Sequence, residues 1–352
     1  IFLERNCIVL IEDDIKLDYS DVLIRPKRSE LTSRFDVEMN RTYTFKWSGK
    51  EWTGLPIMSS NMDTVGTFEM HEELSQYDMV TCIARQHNTK GELWNRAEKK
   101  NKLCVMSGIS ETELSEIIGV SNTYPDIAFV GLDVANGYTV NFVESVKRLR
   151  EHLPSATIIA GNVVTGDMTA ELILSGVDIV KVGVGPGSVC TTRIKTGIGY
   201  PQLSAVMECA DAAHGLNAHI IADGGCNSSG DIVKAFAGGA DFVMIGGILA
   251  GHDECEGELV FEDDNPEPIG MQFYGMASRT AMNKHGHSNR EYRGEEGKTV
   301  SVPYRGAVRD TIVDILSGVR SGCTYVGAKR LKDLPKCATF VRVNSTHNKV
   351  YE

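Results

Sequence analysis

Cys190 sits in the stretch GVGPGSVCTTRIKTGIGYPQ (183–202), among five glycines and two prolines and directly behind the apolar run IVKVG. A structural thiol is ordinarily a small buried hydrophobe in apolar surroundings. This one is surrounded by loop-forming residues and donors. Gly185 and Gly187 would permit positive φ and close approach of the backbone to a ligand. Thr191, Thr192 and Arg193 offer hydroxyls and a fixed positive charge that would favour thiolate. Together these residue types point to a nucleophile. A nucleophile needs a group to take its proton, and EYRGEEGK (291–298) offers Arg293, Glu295 and Glu296. That charge run fits either a solvated face or a mobile flap whose carboxylate does acid/base work.

Two further stretches, ADGGCNSSGD (222–231) and MIGGILAGH (244–252), each carry a Gly-Gly pair behind an apolar run. Gly224, Gly225, Gly246 and Gly247 are either tight-turn glycines or a backbone cradle for a phosphate. Asp223 is an acceptor suited to ribose hydroxyls. In LDVANGY (132–138), Asp133 is open between a helix N-cap and a ligand contact.

Eight short apolar runs would have to position these residues: 55–62, 79–84, 103–108, 127–135, 157–163, 179–184, 219–225 and 242–247. Most are too uniformly apolar for a half-exposed sheet and suit parallel strands covered on both faces. Amphipathic helical patterns lie between them. In TVNFVESVKRLREHL, Val140, Val143, Val146, Leu149 and Leu153 recur at helical spacing. Strand–helix alternation repeated eight times predicts a (β/α)8 TIM barrel. The alternative, a doubly wound open sheet, favours fewer strands and a Gly-rich fingerprint at the first strand–helix turn, which is missing here. GVDIVKVGVG (176–185) and GGADFVMIGG (238–247) echo one another as barrel periodicity. In a barrel, Cys190 and both Gly-Gly pairs fall just past strand C-termini, where active sites form, and the loops after strands seven and eight commonly take phosphate. Residues 251–305 form a long polar insertion after the eighth strand, expected to emerge at that face.

The 352 residues, 42% hydrophobic and 24% charged, fit a globular protein expected as a single barrel domain over 1–352. A net charge of −11 argues against a nucleic-acid backbone as partner. The nine cysteines show no CxxC pair and no zinc spacing, and the odd count argues against a disulfide framework. This predicts a reducing, cytoplasmic setting. The apolar start IFLERNCIVL is too short and broken for a membrane span, so no membrane partner is expected.

GPGSVCTTR, the DGG and GG loops, NMDTVGT (61–67) and SGCTYVGA (321–328) resemble the IMP dehydrogenase/GMP reductase family over nearly the whole chain. KLDYSDVLIRPKRS, AGNVVTGDM and EGKTVSVPYRG resemble its reductase branch. The dehydrogenases usually carry a CBS module pair, for which this length leaves no room. They also use a flap Arg-Tyr pair to activate water, where this sequence has Tyr292-Arg293. The resemblance therefore implies NADPH-dependent reductive deamination of GMP to IMP and ammonia, in purine salvage. An IMP dehydrogenase lacking CBS modules is the alternative.

By motif, the resemblance makes Cys190 the thioimidate-forming nucleophile, with Thr192 and Glu296 handling protons. It gives Asp223, Gly224, Gly225, Gly246, Gly247, Gly275, Met276, Ala277, Arg293 and Gly297 to the substrate. It gives Asp133, Val134, Ala135, Tyr292 and Ser321, Gly322, Cys323 and Thr324 to the cofactor. Ser33 and Arg34 would reach a neighbouring subunit's cofactor, implying a homo-oligomer, expected as a tetramer. A monovalent cation, K⁺, would be held by Gly185, Gly187, Cys190 and Arg193. Where the reductases tend to read His-Lys-His, this chain has Ala84-Arg85-Gln86, so Arg85 keeps a cofactor-side charge with altered geometry.

Overall fold

The computed structural model describes residues 10–263, 266–285 and 294–347. Within it, the eight apolar runs form eight parallel strands: β1 (Ile57–Ser59), β2 (Val80–Ile83), β3 (Leu103–Ser107), β4 (Phe129–Asp133), β5 (Ile158–Val163), β6 (Ile179–Val182), β7 (His219–Asp223) and β8 (Phe242–Ile245). They pair in sequence order, and β8 closes on β1 through Val243–Ile57, Met244–Met58 and Ile245–Ser59. Closure excludes the open doubly wound sheet. A helix follows each strand: α1 (Phe68–Leu74), α2 (Gly91–Arg96), α3 (Glu111–Thr123), α4 (Val140–His152), α5 (Gly166–Leu174), α6 (Gln202–Gly215), α7 (Ser229–Ala237) and α8 (Arg309–Val326).

Period-two alternation divides each strand between two cores. Met58, Cys82, Met106, Phe129, Ile159, Ile179, Ile221 and Phe242 fill the barrel. Their neighbours face the helices. A hairpin (Arg41–Thr44 with Glu51–Gly54) stoppers the N-terminal mouth with Tyr43, Phe45 and Trp52, which pack onto Phe129 and Phe242. The functional mouth is thus the opposite, C-terminal one. In α4, Thr139 caps the first turn and Phe142, Val143, Val146 and Leu149 are buried. Val140 does not join that row: it is 80% exposed, because the stripe begins only at Phe142.

The internal echo has a physical basis. Asp178 and Asp241 stand just before β6 and β8, both buried. Each accepts a backbone N–H from the preceding strand, Ile158 and Ile220 respectively, and each pairs with an arginine, Arg150 or Arg41. The insertion folds more than its polar composition predicts. It forms an antiparallel sheet of β9 (Leu259–Val260), β10 (Gly270–Tyr274) and β11 (Thr299–Pro303). Among the described residues no helix is long and apolar enough to cross a membrane.

Candidate active site

The loop behind β6 carries the thiol. Gly183, where this loop begins, has φ +153, and a Cβ there would lie 2.1 Å from the Asp223 carbonyl oxygen, so only glycine lets β6 and β7 end side by side. Gly185 takes φ +86; Gly187 does not adopt positive φ, contrary to expectation, and instead its carbonyl accepts the Cys190 N–H at 3.0 Å. Gln202, fully buried at the start of α6, donates to the carbonyls of Val182 and Asp223 and fixes the strand ends beneath the loop.

The Cys190 thiol donates to Thr192 Oγ1 at 3.3 Å, and the Thr192 hydroxyl donates to Glu296 Oε2 at 2.8 Å. This is a continuous hydrogen-bonded path from thiol to carboxylate. The insertion closes it with backbone bonds. Thr191 N–H donates to Glu296 O at 2.9 Å, Lys298 N–H to Val189 O at 2.9 Å, and Gly275 N–H to Lys298 O at 3.1 Å. Cys190 and Gly297 form an antiparallel bridge. The two adjacent glutamates diverge: Glu295 accepts from Arg279 N–H on the flap, whereas Glu296 faces Thr192. Glu296 is thus half-buried against the thiol loop and not part of a fully solvated face.

Arg193 departs from the expected role beside the thiol. Its guanidinium is held by Asp18 Oδ2 at 2.9 Å and by the Tyr200 carbonyl, and its stem packs over Gly185. Only its main chain remains for a cation, and that carbonyl already accepts from Gly197 N–H. Among the described residues no cluster of three or more His, Cys, Asp or Glu could hold a metal, so a cation here would rest on neutral carbonyls.

The glycine loops behind β7 and β8 abut the same turn. A Cβ on Gly224 would lie 2.9 Å from Pro186, and one on Gly247 would lie 3.0 Å from Ser188 Oγ. Gly225 takes φ +82, while a Cβ on Gly246 would come 2.8 Å from Ser60 Oγ. Beside them opens a cavity of about 280 Å³ whose walls include Ser188, Asn227, Gly247, Lys298 and Arg305. The last two are cations that sequence reasoning missed, since they stand at the entry and exit of β11. Met276 is half-buried and Ala277 exposed above the loop, with Ala277 O accepting from Glu296 N–H. Arg293 and Tyr292 lie outside the described residues.

Asp133 is not an N-cap; Thr139 is. It closes β4 and pairs with Lys181 of β6 at 2.9 Å, and Asn61 donates to it at 2.8 Å. Burial would raise its pKa, but the Lys181 ammonium and these hydrogen bonds hold it below the usual carboxylate range. Val134 and Ala135 continue the rim, with Val134 N–H donating to Gly161 O. Arg85 pairs with Glu113 at 2.9 Å, so its charge is directed at the N-terminus of α3. Ser33 caps the turn Arg34–Asp36, and Arg34 donates to Ser317 on α8, placing both residues alongside the helix that carries Ser321–Thr324. Within that helix Gly322 packs against Val233, and Cys323 is wholly buried, its thiol pushed up to about 12 by desolvation. Those two have only their backbone to offer a ligand.

Comparison with known proteins follows the same lines. The profile of the IMP dehydrogenase / GMP reductase domain matches residues 16–350. The chain is 56% identical to GMP reductase 1 of Homo sapiens over 344 residues, 97% of this chain and 99% of that one. It is 54% identical over 347 residues to GMP reductases of Caenorhabditis elegans and Salmonella typhi, covering 97% of this chain and 96% and 99% of theirs.

Proposed function

The chain belongs to the IMP dehydrogenase/GMP reductase family, and from that premise we propose that it reduces GMP to IMP with release of ammonia, drawing on NADPH. It is an oxidoreductase. The single observation that carries the reading is the Cys190–Thr192–Glu296 path, which gives a thiol a route for its proton and a leaving amine a source of one.

The chemistry runs in two parts. Cys190 Sγ, its proton passed through Thr192 to Glu296, bonds to C2 of the guanine. The same carboxylic acid returns that proton to the exocyclic amine, which departs as ammonia and leaves a covalent thioimidate. Splitting one displacement into two lowers each barrier. Bound NADPH would supply hydride to C2, after which the C–S bond breaks and Cys190 is regenerated. Asp133, at the rim of the barrel, suits a cofactor hydroxyl, with Val134, Ala135 and Arg85 nearby. Ser321–Thr324 are assigned to the cofactor as well, and Ser33 and Arg34 to the cofactor of an adjoining subunit, which makes the working form an oligomer, taken as a tetramer.

The nucleotide would lie with its phosphate over Gly224–Gly225 and Gly246–Gly247. The cavity there is flanked by Lys298 and Arg305, whose charge supports an anion. Asp223 would take the ribose, and Gly275, Met276, Ala277 and Gly297 the purine. K⁺ would rest on carbonyls of the 185–190 turn and brace the thiol loop. The positive φ of Gly185 and the neutral donor set fit such an ion.

The test follows nicotinamide absorbance with two pairs in parallel, GMP with NADPH and IMP with NAD. Falling absorbance with GMP, accompanied by ammonia, is the expected outcome. Rising absorbance with IMP and none with GMP would assign the chain to the dehydrogenase branch instead.

A further inference from the structure

The top layer of the barrel interior holds a buried ion that the chemistry above does not use. Lys181 is 2% exposed, yet its ammonium lies 2.9 Å from Asp133 Oδ1 and 3.1 Å from Asp223 Oδ2. Each carboxylate is also gripped by an amide, Asn61 on Asp133 at 2.8 Å and Asn162 on Asp223 at 2.9 Å. The carboxylates are 26% and 21% exposed and so reach the mouth, while the lysine is sealed beneath them. Backbone geometry makes room for it: Gly161 of β5 faces Lys181, and a Cβ there would come 2.5 Å from the lysine Cβ.

We infer that Lys181 is a positioning residue: it holds Asp133 and Asp223 as a matched pair of ionised hydroxyl acceptors and thereby couples the cofactor half of the site to the nucleotide half. The inference rests on the assignment of those two aspartates to cofactor and ribose. Two carboxylates about 6 Å apart or closer repel one another, and a cation seated between them relieves that repulsion. Burial would lower the Lys181 pKa, but the pull of Asp133 and Asp223 raises it. Of the other ionisable groups near the pair, Arg85 acts on Asp133 from the β2 side, and the Cys104 thiol of β3 is kept neutral by burial. The Cys226 thiol beside Asp223 is likewise kept neutral by burial, and Arg85 does not touch Asp223, so Lys181 is the cation common to both.

The test compares Lys181→Gln, Asp133→Asn, Asp223→Asn and the double variant Lys181→Gln/Asp133→Asn with the wild type. Steady-state constants for GMP and NADPH are measured from about pH 5.5 to 9, with circular dichroism as the check of folding. For Lys181→Gln the expectation is a rise of about tenfold in both KM values. A new acidic limb in kcat/KM should also appear, with activity falling as pH drops through the neutral range. In the double variant the like-charge pair is gone, so that limb disappears; the GMP KM returns toward wild type while the NADPH KM stays high. A folded Lys181→Gln enzyme with a pH profile parallel to wild type overturns the inference, as does a uniform loss of kcat without a KM change. Should Lys181→Gln fail to fold, the double variant decides: it must fold and show the split in KM, and its collapse assigns Lys181 to stability alone. If the single aspartate variants leave both KM values unchanged, the ligand assignment itself fails, and the inference with it.

Discussion

At the scale of single residues, the site separates groups that act from groups that hold. Cys190, Thr192 and Glu296 form one relay. Cys190→Ala is expected to lower turnover by at least about a thousandfold while GMP binding, measured by calorimetry, stays within about threefold of wild type. Glu296→Gln should slow ammonia release by about a hundredfold in single turnover and leave hydride transfer much less affected, because the carboxylate is needed where a proton must move. Substantial residual turnover in the first variant, or equal slowing of both steps in the second, would remove the residue from its role. Cys190 and Thr192 were legible in sequence because thiol, hydroxyls and glycines cluster in one short stretch, whereas Glu296 stood in a separate charge run and was singled out only by the family resemblance. Lys181 was not. It sits inside IVKVG, whose apolar neighbours present a buried strand, and the one signal was a lysine at an interior-facing register position. Arg193 misled for the opposite reason: proximity in sequence suggested a charge beside the thiol, but the chain turns and Asp18 takes the guanidinium.

At the scale of elements, the flap sheet and the thiol loop behave as one piece. Gly275 and Gly297 face each other so closely that a Cβ on Gly297 would lie 2.9 Å from Ser278 N and one on Gly275 3.0 Å from Val189 O. Gly297→Ala should therefore push Glu296 off Thr192. The expected loss in kcat is roughly tenfold to a hundredfold, with a melting temperature close to wild type, since the strain falls where the insertion bridges the thiol loop and not in the barrel core. Equal kcat in the two proteins would show that the backbone bridge does not position the carboxylate. All eight barrel strands were legible because parallel strands buried on both faces leave uninterrupted apolar runs. The flap sheet and the stopper hairpin were hidden. Their strands alternate, as in TVSVP and RTYT, where every second residue faces solvent, and short alternating segments in polar sequence carry little signal.

At the scale of the whole molecule, the barrel is finished differently at its two ends. The N-terminal end is knitted by Asp241, which joins Arg41 of the hairpin, His214 of α6 and His219 of β7. Burial opposes the Asp241 charge, but the hydrogen bond from His214 and the neighbouring His219 imidazole hold its pKa well below the usual range, and the same contact with Asp241 raises that of His214. The His214 contribution is full below the ordinary histidine pKa and fades as pH rises through the raised one. The Asp241 contribution is full above the ordinary carboxylate pKa and fades only in strong acid. The melting-temperature difference between wild type and His214→Gln should accordingly be largest near about pH 6 and close to zero by about pH 8.5. A difference that does not vary with pH would detach His214 from this linkage. Because His214 is about half exposed, solvent screens the effect and it should be modest. The C-terminal end, by contrast, keeps the acceptor of the nucleophile's proton on a separate segment, with Glu296 on the insertion and Cys190 on the barrel. Lifting that segment would not merely open the site; it would also part the thiol and Thr192 from their carboxylate. Oxidants and alkylating agents that reach the open form would then meet a thiol cut off from its proton acceptor.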